Sequence, residues 1–301
     1  MDALLRLRSV HRLRDRARGG VRRASGGGQP GHRHGHLAGR GRPGAPDRAG
    51  TRGRADRKRG VTSSRVRIRF SKHGKVRFTS HRDVARIWER ALRRASVGVA
   101  YSAGFNPRPK IAFGLALSTG YSSDAEYLDV ELDPDSEAGI DTENLVAALT
   151  ASLPTGMTAL AAAGLAGGEP SLQHAVTSCT WRIDAAGADA VEASEALERA
   201  LARSELLVQR ERKGRLDTDD IRPAVLAAEV QGNITDGVRL IAELGTKPRA
   251  VRPPELLASL DPPLSILRAH RLHQWIATDG LQRREPLAVA ELSVAGAGVA
   301  P

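Results

Sequence analysis

Twice along this chain the hydrophobic period changes from two to 3.6 and back in the same order, and that order restricts the fold more than composition does. Val66, Ile68 and Phe70 alternate with arginines, and Val76 and Phe78 follow a His-Gly turn, so both runs read as strand. Ser80 stands where a helix N-cap is wanted, with Asp83 at the capping-box position near the positive helix end. Val84, Ile87, Trp88, Ala91, Leu92 and Ala95 then recur at helical spacing. Strands are expected at 99–102, 111–117 and 127–132, a helix at 142–153 stopped by Pro154, and a closing strand at 157–162. The second half repeats this, with strands at 175–183, 206–209, 221–230, 238–244 and 266–276, a helix at 188–203 and a short helix at 254–260.

Each half approximates β-α-β-β-α-β. The expected fold class is therefore α+β: two tandem ferredoxin-like domains, each an antiparallel sheet with helices on one face. The first spans 63–166 and the second 171–280, joined through Gly167, Gly168, Glu169 and Pro170, with a flexible tail over 281–301. Residues 1–62 are rich in Arg, Gly and Pro and poor in aromatic and β-branched residues, so they cannot bury enough apolar surface to offset chain entropy. They read as a disordered basic extension, or as sequence upstream of a true start near Val61. His32, His34 and His36 resemble a metal tract but fall in that extension.

The net charge of +12 suggests nucleic acid until it is partitioned. Residues 1–62 carry 17 Lys and Arg against 4 Asp and Glu, and the remainder sums to −1. Within that remainder, 65–110 holds 13 basic and 2 acidic residues, which leaves −12 over 111–301. The folded part is near neutral but strongly polarised, with its positive charge concentrated in one segment. Cys179 is the single cysteine, which excludes a disulfide framework or a cysteine-ligated cluster within the chain. No apolar run approaches the length of a transmembrane helix, and the basic N-terminus lacks a compact apolar core of a secretory signal. The expected setting is the cytoplasm.

The candidate site lies between Arg77 and Leu117. Arg82, Arg86, Arg90 and Arg93 form a cationic stripe opposite the apolar helix face, suited to a phosphate backbone, and Lys72, Lys75 and Arg77 adjoin it. In the loop Gly104-Phe105-Asn106-Pro107-Arg108-Pro109-Lys110 the prolines stiffen the chain and force Asn106 and Arg108 towards extended geometry. Gly104 allows close backbone approach, and Asn106 offers both a donor and an acceptor. The candidate ligand-binding residues are Ser80, His81, Arg82, Asp83, Arg86, Arg90, Gly104, Asn106, Pro107, Arg108 and Lys110, with Lys213, Arg215, Arg222 and Arg252 as secondary contacts.

His81, in the first helical turn, is the one candidate general base, but local spacing supplies no second acid or nucleophile. Asp217, Asp219 and Asp220 lack the spacing and glycine of a calcium loop and read as a solvated loop. Cys179, in an alternating strand, reads as core. No metal site, Walker loop, nucleophile elbow or zinc pair is present, and no cofactor is expected in this chain.

The motifs TSHRD at 79–83 and GFNPRPK at 104–110, with DAEYLDVEL at 124–132, resemble the radical-SAM-associated protein family, a bacterial domain of unknown function. The likeness extends over roughly 65–276, and its distinctive positions here are Ser80, His81, Asp83, Gly104, Asn106, Pro107, Pro109 and Lys110. It implies an accessory to a radical-SAM protein, with RNA as a further partner; no membrane partner is expected, from the lack of an apolar span. The Cys-x3-Cys-x2-Cys motif of fused members is absent, so radical chemistry would come from the partner. Three readings follow: an accessory that grips RNA or another polyanion, a metal-independent endoribonuclease with His81 as base, and a structural scaffold that binds no nucleic acid.

Overall fold

The computed structural model describes residues 65–134, 141–165, 167–212, 214–278 and 282–287. The extension 1–62, its histidine tract and Lys213 lie outside them. Strand β1 (Arg65–Lys72) leads through a 3-10 turn (Gly74–Phe78) into α1 (His81–Arg94). β2 (Ile111–Phe113), β3 (Ser122–Glu131), α2 (Thr142–Ser152) and β4 (Met157–Leu165) complete the first half. The second comprises α3 (Leu172–Ala175), β5 (Val176–Ala186), α4 (Ala190–Ala202), β6 (Leu207–Arg212), β7 (Arg215–Asp220), β8 (Val225–Ile234), β9 (Gly237–Gly245), α5 (Pro253–Ala258), β10 (Ser265–Ala277) and β11 (Arg283–Arg284).

This is an α+β fold dominated by sheet. The main sheet runs β4-β1-β3-β10-β5-β9-β8, with β2 also on β3 and β11 also on β10. The two halves meet where β3 and β10 pair in parallel, Ser122 and Ser123 opposite His270 and Arg271, so their strands form one continuous sheet. Side chains reinforce that short pairing. Arg271 donates to Glu126 at 2.9 Å and to the Leu115 and Ala116 carbonyls at 3.0 Å each, and Gln274 donates to the Ala125 carbonyl at 2.6 Å.

Val66, Ile68, Phe70, Leu128 and Val130 put one face of the first half against Val84, Trp88 and Leu92 of α1. Phe70 and Trp88 meet edge to face at 4.9 Å. In the second half, Ala193, Ala196, Leu197 and Ala200 of α4 cover Ile183, Leu240 and Ala242.

Several expectations need correction. Val76 and Phe78 lie in the 3-10 turn rather than a strand, since Gly74 at φ +57° curls the chain after β1. Residues 99–102 contribute only isolated bridges, Val99 with Leu132 and Tyr101 with Pro109, and the strand expected at 111–117 stops at Phe113. Residues expected as loop, Asp217 to Asp220 among them, form the β6–β7 hairpin. Over β1 the sheet's second face is not open to water. Arg67 is fully buried against Asp129, and Arg69 is paired with Glu285 at 2.6 Å. The tail expected to begin at 281 therefore includes, over 282–287, a stretch that pairs with β10 and lies on this face, where Pro286 accepts from Arg67 and Leu287 packs on Tyr127.

The strand pair β5–β9 carries a cross-strand ion pair in which Arg239 holds Asp184 at 2.7 and 3.0 Å. The Arg239 hydrogen bonds outweigh burial and hold the Asp184 carboxyl below its ordinary value of 3.8. Its stabilisation is therefore complete above about pH 4 and is lost as pH falls through the lowered value. Asp184→Asn is expected to flatten the acid limb of a stability-against-pH curve below about pH 4; denaturant titrations at stepped pH read it, and an unchanged limb would remove Asp184 from the account.

Candidate functional site

α1 begins as the sequence predicts. The Ser80 hydroxyl accepts from the Asp83 amide at 3.2 Å and donates to the Asp83 carboxylate at 2.7 Å. Burying Val84, Trp88, Ala91 and Leu92 turns Arg82, Arg86, Arg90 and Arg93 outward, all four exposed at three- and four-residue spacing. Among the described residues only Arg86 of this row makes an ion pair, a loose one to Asp83 at 3.5 Å. Most of the row's positive charge thus has no internal use.

At the N-terminal end of α1, His81 is exposed and sets its ring edge-on to Phe113 at 5.3 Å. It lines a cavity with Phe70, Lys72, Val84 and Glu126. Lys72 is 3% exposed, and its ammonium donates to the Thr79 carbonyl at 3.1 Å. Burial lowers the Lys72 pKa, opposed by the Glu126 charge. The fold has therefore placed the Glu126 carboxylate beside His81, which the sequence reading did not, and has buried Lys72 at the end of β1 instead of displaying it in a cationic turn beside the stripe. Period two, carried two residues past Phe70 and two back from Leu128, would have found both on the helix-facing side of the sheet. The cavity measures only ≈ 20 Å³, room for a single water rather than a substrate.

At the other end of α1 a groove of ≈ 220 Å³ separates the helix from the root of the 101–110 loop. Glu89 and Arg93 line one side, and Tyr101 and Pro109 the other. The loop is pinned at its base. Ser102 N–H donates to the Arg108 carbonyl at 2.9 Å, Arg108 N–H donates to the Ser102 hydroxyl at 3.0 Å, and Lys110 N–H donates to the Ala100 carbonyl at 2.8 Å. The Lys110 ammonium is drawn to Glu131 at 2.7 Å. Gly104, at φ +131°, has open space where a side chain would project. Asn106, Pro107 and Arg108 are exposed, and Phe105 just before them is wholly solvent-accessible. Loop and helix thus share one groove, with Arg93 and Glu89 on the helix side and Tyr101 and Pro109 on the loop side.

Residues 65–253 match the model of a family described as "Uncharacterized protein conserved in bacteria (DUF2344)". The chain belongs to this family. The matched stretch contains the stripe, both ends of α1 and the whole loop, while β10, which joins the two half-sheets, lies beyond it. No curated protein matches the chain. One chain of a crystal structure of a Cbf5-Nop10-Gar1 complex is similar over 69% of this chain and 48% of its own length, at 11% identity and a TM-score of 0.36. This chain thus spans about half of that one, and so slight a likeness carries no argument.

The secondary candidates of this family member do not join the groove in any described contact. Arg215 is exposed at the start of β7, and Arg252 is exposed at the N-cap of α5. Arg222, expected as a phosphate contact, is instead buried: its guanidinium donates to the Leu201 carbonyl at 2.8 and 3.1 Å, closing the end of α4. Asp219 accepts from Arg249 at 2.7 Å, and Asp220 accepts the Leu206 and Arg222 amides, so these carboxylates brace the hairpin. Burial pushes the Cys179 thiol up to about 11, as for an inert core residue. Among the described residues no His, Cys, Asp and Glu cluster is arranged to hold a metal ion, and no helix is long and apolar enough to cross a membrane.

Proposed function

We propose that this chain is a non-catalytic accessory module that binds RNA or another polyanion across α1 and the 101–110 loop, in the service of a radical-SAM enzyme. The observation that carries the reading is the row of exposed guanidinium groups, nearly all without ion-pair partners among the described residues, that ends in a groove shared with a stiff loop bearing Arg108. Each phosphate such a row neutralises releases counterions, which gives affinity without demanding sequence. The −12 charge over 111–301 leaves the rest of the protein suited to a protein partner rather than to nucleic acid. The radical-SAM partner is proposed from the TSHRD and GFNPRPK motifs, and the cofactors of that chemistry are assigned to the partner. We also infer that each half is ferredoxin-like. The strand orders β4-β1-β3-β2 and β10-β5-β9-β8 support this, since each runs fourth, first, third, second within its half once the β6–β7 hairpin is set aside as an insertion.

The rival endoribonuclease has His81 as its base. Lys72 and Glu126 beside it favour that reading, and the one-water cavity counts against it. Incubation of the full chain with labelled RNA separates them. The expected result is salt-sensitive binding with the RNA recovered intact, and His81→Ala binding within about five-fold of wild type, since one exposed ring contributes about a kcal/mol or less. Cleavage by the wild type that vanishes in His81→Ala would establish the enzyme instead, and no binding by either protein would leave a scaffold.

A further inference from the structure

Phe105 is 104% exposed, in a loop whose base is closed by hydrogen bonds. The loop's geometry does not need the ring. Backbone and serine hydrogen bonds close its base, two prolines stiffen its far limb, and the Lys110–Glu131 pair anchors its end. Tyr101, at the loop's root, is 54% exposed and lines the groove. Two aromatic faces left in water, one sharing the groove with Arg93 and one three residues before Arg108, are the elements of a stacking platform for single-stranded nucleic acid: π-faces for bases, cations for the backbone between them.

We propose that this groove and loop hold unpaired nucleotides of a single strand, with one base against Tyr101 in the groove and a neighbouring base on Phe105. The inference rests on the polyanion reading above and adds to it the class of ligand. A protein partner fits less well. The loop tip offers one isolated ring among Gly104, Asn106 and Arg108, not the contiguous apolar patch that protein docking buries. A duplex fits less well too, because its bases are stacked on one another and present no free face. Glu89 lines the same groove and makes no ion pair among the described residues. A carboxylate there accepts from an exocyclic amino group, so the groove favours the amino-bearing bases, cytosine among them, over uracil.

The test uses the full chain and fluorescence anisotropy with short oligo(rC), oligo(rU), the DNA equivalent of the first, and a duplex of matched length. Phe105→Leu and Tyr101→Leu keep apolar bulk but remove the ring. Each is expected to weaken single-strand binding about ten-fold with the salt slope unchanged, and to leave the weaker duplex binding as it was. Glu89→Gln is expected to narrow the preference for oligo(rC) over oligo(rU). If both ring variants bind every probe like wild type while reversal of the arginine row still weakens binding, stacking is wrong and the polyanion surface stands. Should the ring variants instead lose a co-purifying protein with nucleic-acid binding untouched, the loop is a protein-docking element and the inference falls. If wild type binds none of the probes, both readings fail together. Equal binding of the RNA and DNA single strands supports stacking, which engages base faces rather than sugars; a duplex bound more tightly than either single strand contradicts it.

Discussion

Asp129→Ala is expected to lower the unfolding free energy by about 3–5 kcal/mol, the cost of leaving a buried charge without its partner. Arg67 is 0% exposed and Asp129 4%, and the two meet through a bidentate pair at 2.7 and 2.9 Å. The Pro286 carbonyl at 3.3 Å and the Glu169 carboxylate at 3.7 Å are too distant to replace a carboxylate aligned on both guanidinium nitrogens. Chemical denaturation of the full chain measures the loss. The double variant Arg67→Met/Asp129→Leu is expected to recover most of it, because exchanging a buried ion pair for apolar volume is often close to neutral. A single variant within about 1 kcal/mol of wild type would mean that water reaches this face of the sheet, and the role assigned to residues 282–287 would go with it.

That pair marks where the sequence stopped being legible. The alternation Val66, Ile68, Phe70 identifies β1 and its core face correctly, because period two is a local signal. It also makes Arg67 and Arg69 look solvent-facing, as in any half-buried strand. Their burial is caused by residues far along the chain: Asp129 across the strand pair, and Glu285 and Pro286 from a stretch with little structure-forming pattern. The same distance hid the seam, since Arg271, Glu126 and the Leu115 carbonyl come together only once β10 lies beside β3.

The candidate site was more open to reading because most of it is local. Ser80, Asp83, the arginine row and the Gly104–Lys110 loop fall within about thirty residues, and capping, helical period and proline geometry act over that range. The exposure of Phe105 was not legible, since phenylalanine is among the side chains most often buried and nothing local marks this one as displayed. Arg222 was misread for a related reason. Arginine before proline looks like a loop contact until the fold places it beneath the open end of α4.

The second large effect is expected from reversing Arg82, Arg86 and Arg90 to Glu together. The three side chains are exposed and give up only the Arg86–Asp83 contact, so the variant is expected to fold with an unchanged thermal transition. The basic residues of 1–62 remain the same in both proteins, so any difference belongs to α1. At low salt the variant is expected to bind all RNAs at least about a hundred-fold more weakly, because three favourable phosphate contacts become repulsive. Sequence preference is expected to survive in whatever binding remains, since phosphate contacts position a strand without reading it.

The measurement that bears most directly on the whole account is the salt dependence of RNA affinity for wild type and this triple variant, taken side by side. If α1 is the phosphate-binding surface, the slope of log K against log salt is expected to become shallower by about 2, the share of three phosphates on a single strand. Parallel slopes with equal affinities at every salt concentration would show that α1 does not face the ligand, and the polyanion reading of this half would be wrong.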